Sequence, residues 1–220
     1  MLAFILFFFL LLLFPILFGQ LLLASLAKLH LNPEAALLLV FAIVFGALIN
    51  IPLKRIARDD EVVVRPFAVF GLPYHFPQFR RRYRETVIAV NVGGCLVPVG
   101  LALYELIHLA AQGLLLLMAA AVASVVSTAV CYYLARPVPG VGIAMPGLIP
   151  PFVAAAAALI LAPGAAAPVA FIAGVAGPLV GADLLHLKDI VKLGAGMASI
   201  GGAGTFDGIV LSGIVAAYLA

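Results

Sequence analysis

Long apolar runs separated by short polar breaks dominate the chain. A helix needs about 20 apolar residues to cross a hydrocarbon core, and most of these runs approach or exceed that length. The continuous runs cover about Leu2–Ala27, Ala35–Ile51, Val87–Leu109, Leu114–Ala135 and Met197–Ala220. Residues 147–182 are also apolar, but Pro163-Gly164 interrupts them, so they form either two full spans or a re-entrant pair. The pattern predicts about seven transmembrane helices in a single domain, residues 1–220.

Composition supports this interpretation. Hydrophobic residues make up 66% of the chain and charged residues only 10%, whereas soluble domains have about half and a quarter. The first apolar run is about 25 residues long with no preceding Lys or Arg, so we expect a retained span and not a signal peptide. The predicted fold class is an all-α polytopic membrane protein.

The loop at residues 52–86 is the one long polar stretch. Within it, residues 61–79 are rich in Val and Phe around the turn signal Gly71-Leu72-Pro73, which predicts a short cytoplasmic β-hairpin between helices 2 and 3. The neighbouring "RRYR" is suited to anionic lipid headgroups. Without stacking aromatics at useful spacing, we expect membrane lipids as partners and no nucleic acid.

The basic residues set the orientation. If every span alternates, 11 of the 12 Lys and Arg residues fall on one side, and only Lys28 falls on the other. Because basic residues accumulate on the cytoplasmic side, we expect the N-terminus inside and the C-terminus outside. The chain is then a multi-pass protein of the cell (inner or cytoplasmic) membrane.

Two acids stand out against this apolar background. Asp183 ends one apolar segment, and Asp207 follows the glycines of "GGAGTFDGIVLSGI". A carboxylate in lipid costs about 2.5–3.5 kcal/mol on insertion scales, so acids in apolar segments need a reason. Both acids belong to the cytoplasmic half, on consecutive segments. Asp207 is about 15 Å deep if the last helix starts near Met197, and shallower if the glycines are unwound.

A carboxylate pair of this kind has a recognisable chemistry. Two neighbouring carboxylates cannot both ionise easily, so one keeps a proton and the pair can serve as base and acid together. The adjacent glycines allow close approach of backbone, substrate and water. The structural alternatives are a helix cap or solvated end for each acid, and close helix packing for the glycines.

Other polar residues in the apolar segments give weaker signals. Asn50 and Asn91 are expected to be interhelical hydrogen-bond partners. Glu105 and His108 share a helix face, where interfacial solvation is the simpler interpretation. His186 follows Asp183 by three residues, but two acids and one histidine at such spacing are weak grounds for a metal. We therefore predict no metal and no cofactor.

Several motifs resemble an uncharacterised prokaryotic multi-pass membrane family. They are "TVIAVNVGG", "RPVPGVGIAMPGLIPP", "GADLL" and "GGAGTFDGIVLSGI", and the resemblance extends over about two thirds of the chain. The resemblance implies a membrane fold and gives no activity.

A second, looser resemblance carries a mechanism. Gly-x-Gly followed by Asp at the start of an apolar helix is similar to intramembrane aspartyl proteases of the presenilin and signal-peptide-peptidase type. The resemblance implies catalytic roles for Asp183 and Asp207. It also implies substrate-binding roles for the glycines and for a Pro-Gly-Leu element, namely Gly202, Gly204, Pro146, Gly147 and Leu148.

Three functions remain open at this point. The first is an intramembrane aspartyl protease that cleaves a transmembrane or membrane-proximal peptide. The second is a small transporter or ion-coupled permease that uses the same carboxylates, since broken helices and acids near the midplane are typical of transporters. The third is a non-catalytic membrane scaffold. The sequence leaves the oligomeric state and the substrate undetermined.

Overall fold

The computed structural model describes residues 2–57, 85–138, 142–192 and 197–220. Most of these residues are helical. The α-helices are α1 Leu2–Leu26, α2 Pro33–Gly46, α3 Val97–Gln112, α4 Leu114–Leu134, α5 Ile149–Leu161, α6 Ala166–Ala176, α7 Leu187–Lys192 and α8 Gly208–Leu219. Two π-helical segments extend them, Val92–Leu96 before α3 and Gly177–Leu184 after α6. Short 3₁₀ turns cover Pro163–Ala165 and Gly204–Phe206.

In the part of the chain that the structure describes, three helical stretches are long and apolar enough to cross a membrane. They are Val92–Gln112, Leu114–Leu134 and Pro163–Leu184. Shorter apolar stretches of 10–17 residues are Ile16–Leu26, which is the last part of α1, Pro33–Gly46, Ile149–Leu161 and Gly208–Leu219. These helices support the prediction of a membrane protein, because their apolar surfaces are stable only when lipid or protein covers them.

The prediction of an all-α fold is wrong in one respect, because the chain also forms small sheets. The strands are β1 Asn50–Ala57, β2 Glu85–Asn91, β3 Arg136–Val138, β4 Gly142–Ala144 and β5 Met197–Ile200. One sheet has the order β1-β2-β5, with β1 antiparallel and β5 parallel to the central β2. β3 and β4 pair antiparallel in a second sheet. The hairpin predicted at residues 61–79 lies outside the described residues.

These strands correct three predicted span boundaries. The second span was expected to reach Ile51, but α2 ends at Gly46 and β1 begins at Asn50. The third was expected to begin at Val87, which lies in β2, and the last at Met197, where β5 begins. Because β2 is central and largely buried, its sequence "TVIAVN" is nearly continuously apolar. A short apolar run of this kind has no periodicity that separates strand from helix.

The core is built around α6, most of which is buried. Alanines fill one side between α4, α5 and α6, and larger residues around Phe171 fill the side toward α1, α2 and α8. A Cβ built on Gly174 would lie 2.6 Å from the Ser212 carbonyl oxygen, so α6 and α8 cross almost backbone to backbone. Small residues at such crossings are characteristic of membrane helix packing.

Candidate functional site

Asp183 lies near the end of the π-helical segment Gly177–Leu184. Glycines fix this segment against α4, since a Cβ on Gly181 would lie 2.4 Å from the Thr128 carbonyl oxygen. The Asp183 side chain is half-buried, and its Oδ2 accepts a long hydrogen bond of 3.4 Å from the Gly201 N–H. A π-helical interruption is rare and often marks a functional position.

Asp207 is the N-cap of α8. Its backbone is extended, and its Oδ1 accepts from the Ile209 N–H at 3.0 Å. Its Oδ2 accepts from the Ala203 N–H at 3.2 Å. The helix therefore begins after the acid, at Gly208. Of the two alternatives that the sequence left open, the structure has the unwound glycine segment and not an acid deep in a regular helix.

The two carboxylates meet at one short stretch of backbone, which we call the glycine turn, residues 201–204. Gly201 donates its N–H to Asp183, and Ala203 donates its N–H to Asp207. Gly201 and Gly204 have φ of +70° and +63°, a region that side-chain-bearing residues rarely adopt. The sequence separates the acids by 23 intervening positions, and the fold brings them to the same turn.

The glycine turn lies directly on the π-helical start of α3. A Cβ on Gly94 would lie 2.0 Å from the Gly201 carbonyl oxygen, and a Cβ on Gly201 would lie 2.8 Å from the Cys95 Cβ. Gly204 is buried in the same way, because its Cβ would lie 2.6 Å from the Ala47 Cβ. Gly202, in contrast, is exposed. Three separate chain segments therefore approach to backbone contact beneath the acids.

A buried amide network holds this arrangement. Asn91 Oδ1 accepts from the Gly94 N–H at 2.7 Å, and Asn91 Nδ2 donates to the Ala47 carbonyl at 2.8 Å and to Asn50 Oδ1 at 3.1 Å. The Ser199 hydroxyl also donates to Asn50 Oδ1, at 2.6 Å. The two asparagines are hydrogen-bonded as expected, but they join strand ends and not helices. Sequence reasoning did not link either of them to the acid site.

The Pro146-Gly147-Leu148 element immediately precedes α5, and all three residues are exposed. Its neighbour Met145 reaches the start of α8, since a Cβ built on Gly208 would lie 3.5 Å from Met145 Cε. The element therefore begins beside the residue that follows Asp207. Residues far apart in sequence, 145 and 208, are neighbours here.

The site brings together two acids whose described contacts include no ion pair. Asp183 and Asp207 lie near enough for their charges to repel each other. Within the described residues, no ion pair joins either carboxylate to a basic side chain. Asp207 precedes α8 and lies outside the apolar helices; burial raises its pKa, and the N–H groups of Ile209 and Ala203 lower it in part. Burial of the carboxylates and repulsion between their charges both favour retention of a proton by the pair.

His186 does not join the acids in a ligand set. Its Nδ1 lies 3.0 Å from the Gly181 carbonyl oxygen, and its ring packs against that of Tyr132 with centroids 4.9 Å apart. Over the ranges the structure describes, no three or more His, Cys, Asp or Glu side chains are arranged to hold a metal ion.

A different acid, Glu105, was expected to be solvated at the interface, and this expectation is wrong. Glu105 is fully buried and accepts from the His30 N–H at 3.1 Å, while its Oε2 lies 2.8 Å from His30 Nδ1. The His30 ring stacks on His108, and the Tyr104 hydroxyl donates to the His30 carbonyl. The turn between α1 and α2 folds over α3 and excludes water, which no helical spacing within α3 could indicate.

The comparisons with known proteins agree with one of the two resemblances. A family model described as "Protein of unknown function (DUF1614)" matches residues 44–219, well over half of the chain. The chain belongs to this family. The DUF1614 match includes both acids, the glycine turn, Asn91 and the Pro-Gly-Leu element. No curated protein and no solved structure matches the chain, and the comparisons lend no support to the presenilin-type resemblance.

Proposed function

We propose that the chain is an intramembrane aspartyl protease, in which Asp183 and Asp207 act together on a peptide bond. The observation that carries the proposal is the shared glycine turn: two half-buried carboxylates accept hydrogen bonds from backbone groups two residues apart, at 3.4 and 3.2 Å. Neither has a cationic partner among the described residues. A carboxylate pair held in this way retains one proton between its members.

The chemistry follows from that shared proton. The ionised Asp accepts a proton from a water molecule while the water oxygen forms a bond to the scissile carbonyl carbon. The protonated Asp donates its proton to the carbonyl oxygen. As the C–N bond breaks, the pair donates a proton to the leaving amide nitrogen and takes one proton back from a hydroxyl group of the tetrahedral intermediate, which becomes the new carboxyl group. Water is consumed, two peptide ends are produced, and the carboxylates end as they began.

A transmembrane or membrane-proximal peptide must be extended before such a reaction, because helical backbone shields its carbonyl groups. β5 is an edge strand of the three-stranded sheet and leads directly into Gly201. A substrate strand that pairs with β5 would be directed toward the acids by β-augmentation. Exposed Gly202 and the exposed Pro146-Gly147-Leu148 element are the proposed substrate-binding residues.

The same proposal includes seven spans in the cell (inner or cytoplasmic) membrane, with the N-terminus inside and the C-terminus outside. Support comes from contacts that unite helix ends: the Lys28 ammonium, after α1, donates to the Tyr218 carbonyl near the end of α8. Because the acids lie at the other end of α8, they are on the opposite side of the membrane from Lys28. In this proposal that side is the cytoplasmic one, which also holds Arg136 and Lys188. A cysteine at position 136 should resist a membrane-impermeant thiol reagent in intact cells. Its labelling from outside would reverse the orientation.

Cleavage of model transmembrane peptides by the purified protein tests the function. Product should form, and a transition-state-mimicking aspartyl inhibitor should abolish it. Asp183→Asn and Asp207→Asn should each abolish it too, while Asp189→Asn on α7 serves as the matched acid control. Cleavage at the wild-type rate by either of the first two variants would eliminate the carboxylate pair.

A proton-coupled transporter is the second candidate. It is favoured by the interrupted helices at the acids: Asp183 lies in a π-helical segment, and Asp207 follows a 3₁₀ turn. Unwound backbone beside a carboxylate is typical of transport sites. Proton flux into sealed proteoliposomes tests this function. A flux that requires both acids, in a protein that cleaves no peptide, would favour the transporter over the protease. Absence of both activities would favour the scaffold.

A further inference from the structure

An open groove runs along the outer surface between α4 and the α6–π-helical segment. Its volume is about 470 Å³, within the range of about 300–1,000 Å³ that is typical of ligand pockets. Its lining is mostly apolar and includes Val125, Ala129, Tyr132, Ala176, Val180 and Leu185. Because this face belongs to two of the helices long enough to cross a membrane, the groove opens toward lipid.

At one end of the groove, basic residues follow the lining segments in sequence. The Tyr132 ring packs on the His186 ring, so the end of α4 meets the end of the π-helical segment. Arg136 follows Tyr132 by four residues, and Lys188 follows His186 by two; both basic side chains are exposed. In the sequence around this end, residues 131–138 and 183–192, the basic residues Arg136, Lys188 and Lys192 outnumber the acids Asp183 and Asp189, so the net charge is positive.

The His186 ring is oriented by a contact within its own segment. Its Nδ1 lies 3.0 Å from the Gly181 carbonyl oxygen, so Nδ1 is the donor there and Nε2 of a neutral ring is an acceptor. Tyr133 is 81% exposed at the same level of α4. A tyrosine pair beside basic residues at a helix end is typical of the membrane–water interface.

We propose that this groove binds one anionic phospholipid. An acyl chain lies along the apolar lining, and the phosphate is bound by Arg136 and Lys188 at the tyrosine end. An apolar groove with basic residues near one end matches a phospholipid, which has an apolar acyl chain and an acidic headgroup. Basic pockets between membrane helices bind acidic headgroups in this way. The site does not depend on the proposed protease activity.

Native mass spectrometry of the detergent-solubilised protein tests the proposal. Phosphatidylglycerol should be retained more strongly than phosphatidylethanolamine. Each basic residue contributes about fivefold to such binding, so the double variant Arg136→Gln/Lys188→Gln should lose roughly 25-fold in affinity for phosphatidylglycerol. The control Lys54→Gln/Arg55→Gln removes the same charge from exposed positions of β1 and should bind like wild type.

The apolar part needs its own variant. Ala129→Trp fills the groove at an exposed position and should lower the affinity for the lipid at least tenfold. Ile160→Trp, at an exposed position of α5, should leave the affinity unchanged. Thermal unfolding in detergent without added lipid verifies that the variants are folded. Three results would each overturn the proposal. The first is equal retention of both lipids, and the second is wild-type binding by the double variant or by Ala129→Trp. The third is competition by inorganic phosphate alone that is as strong as competition by lipid.

Discussion

Two regions of this protein hold acids away from bulk water, and they treat them in opposite ways. Glu105 is fully buried in a regular helix and accepts two hydrogen bonds from one residue, His30. Asp183 and Asp207 are half-buried at the same glycine turn, and their hydrogen bonds within the described residues come from backbone N–H groups. The more deeply buried acid is the one with a side-chain partner.

The difference shows that burial alone does not identify a reactive acid. A carboxylate with a basic partner holds elements together, because its charge is compensated and its geometry is fixed. Two carboxylates without a cation keep a proton that can be transferred. The Glu105 region fastens the α1–α2 turn to α3, whereas the Asp183–Asp207 region is the one that we propose for proton chemistry.

The largest expected effect is on cleavage. Asp183→Asn and Asp207→Asn should each reduce the rate by about 10²–10⁴-fold, the usual contribution of a positioned acid or base. The double variant should be no worse than either single variant, because the pair works as one unit. Glu105→Gln should keep cleavage near the wild-type rate. Equal loss in Glu105→Gln would remove the distinction between the two regions.

Backbone contact is the next difference. Gly94→Ala should destabilise the protein by about 3 kcal/mol, because the new Cβ would overlap the Gly201 carbonyl oxygen beneath the acids. Gly100→Ala, in the helix between the two regions, has open space around it and should be neutral or stabilising. Chemical unfolding in detergent compares them. A Gly94→Ala variant as stable as Gly100→Ala would contradict the close approach.

Glu105 should matter for stability. Glu105→Ala leaves the His30 N–H and ring without their acceptor, which should cost about 2 kcal/mol, as for other hydrogen bonds to charged groups. Glu34→Ala removes an exposed acid from the first turn of α2, close in sequence to His30, and should cost less than about 1 kcal/mol. Thermal unfolding of the two variants measures the difference. Equal losses would mean that the buried contact adds nothing.

The smallest expected effect concerns Asp207. Because burial raises its pKa above the ordinary 3.8, the folded protein holds this proton more tightly than the unfolded chain does. The resulting stabilisation is complete below pH 3.8 and is lost as the pH rises through the folded-state pKa. Asp207→Asn should remove this dependence while keeping the cap, whereas Asp207→Ala should lose about 1 kcal/mol. The unfolding temperatures of wild type and Asp207→Asn, measured across pH, test this. Parallel pH profiles of the two proteins would contradict the prediction.

Some features were determined by the sequence alone. Long apolar runs require helices in a membrane, because backbone polar groups in lipid must bond within their own segment. Acids in apolar segments stand out for the same energetic reason, so Asp183 and Asp207 could be selected, while the glycines before Asp207 left open whether its helix begins before or after the acid. Membership of an uncharacterised membrane family was also visible in the motifs.

Only the tertiary structure decided the rest. The run "TVIAVN" is compatible with strand or helix, and pairing with β1 and β5 selects the strand because partners far along the chain complete its hydrogen bonds. Gly94 and Gly201 meet, and Glu105 meets His30, through contacts that no local spacing encodes. The sequence determined which groups cannot remain in lipid unpartnered, and long-range packing decided which partner each received.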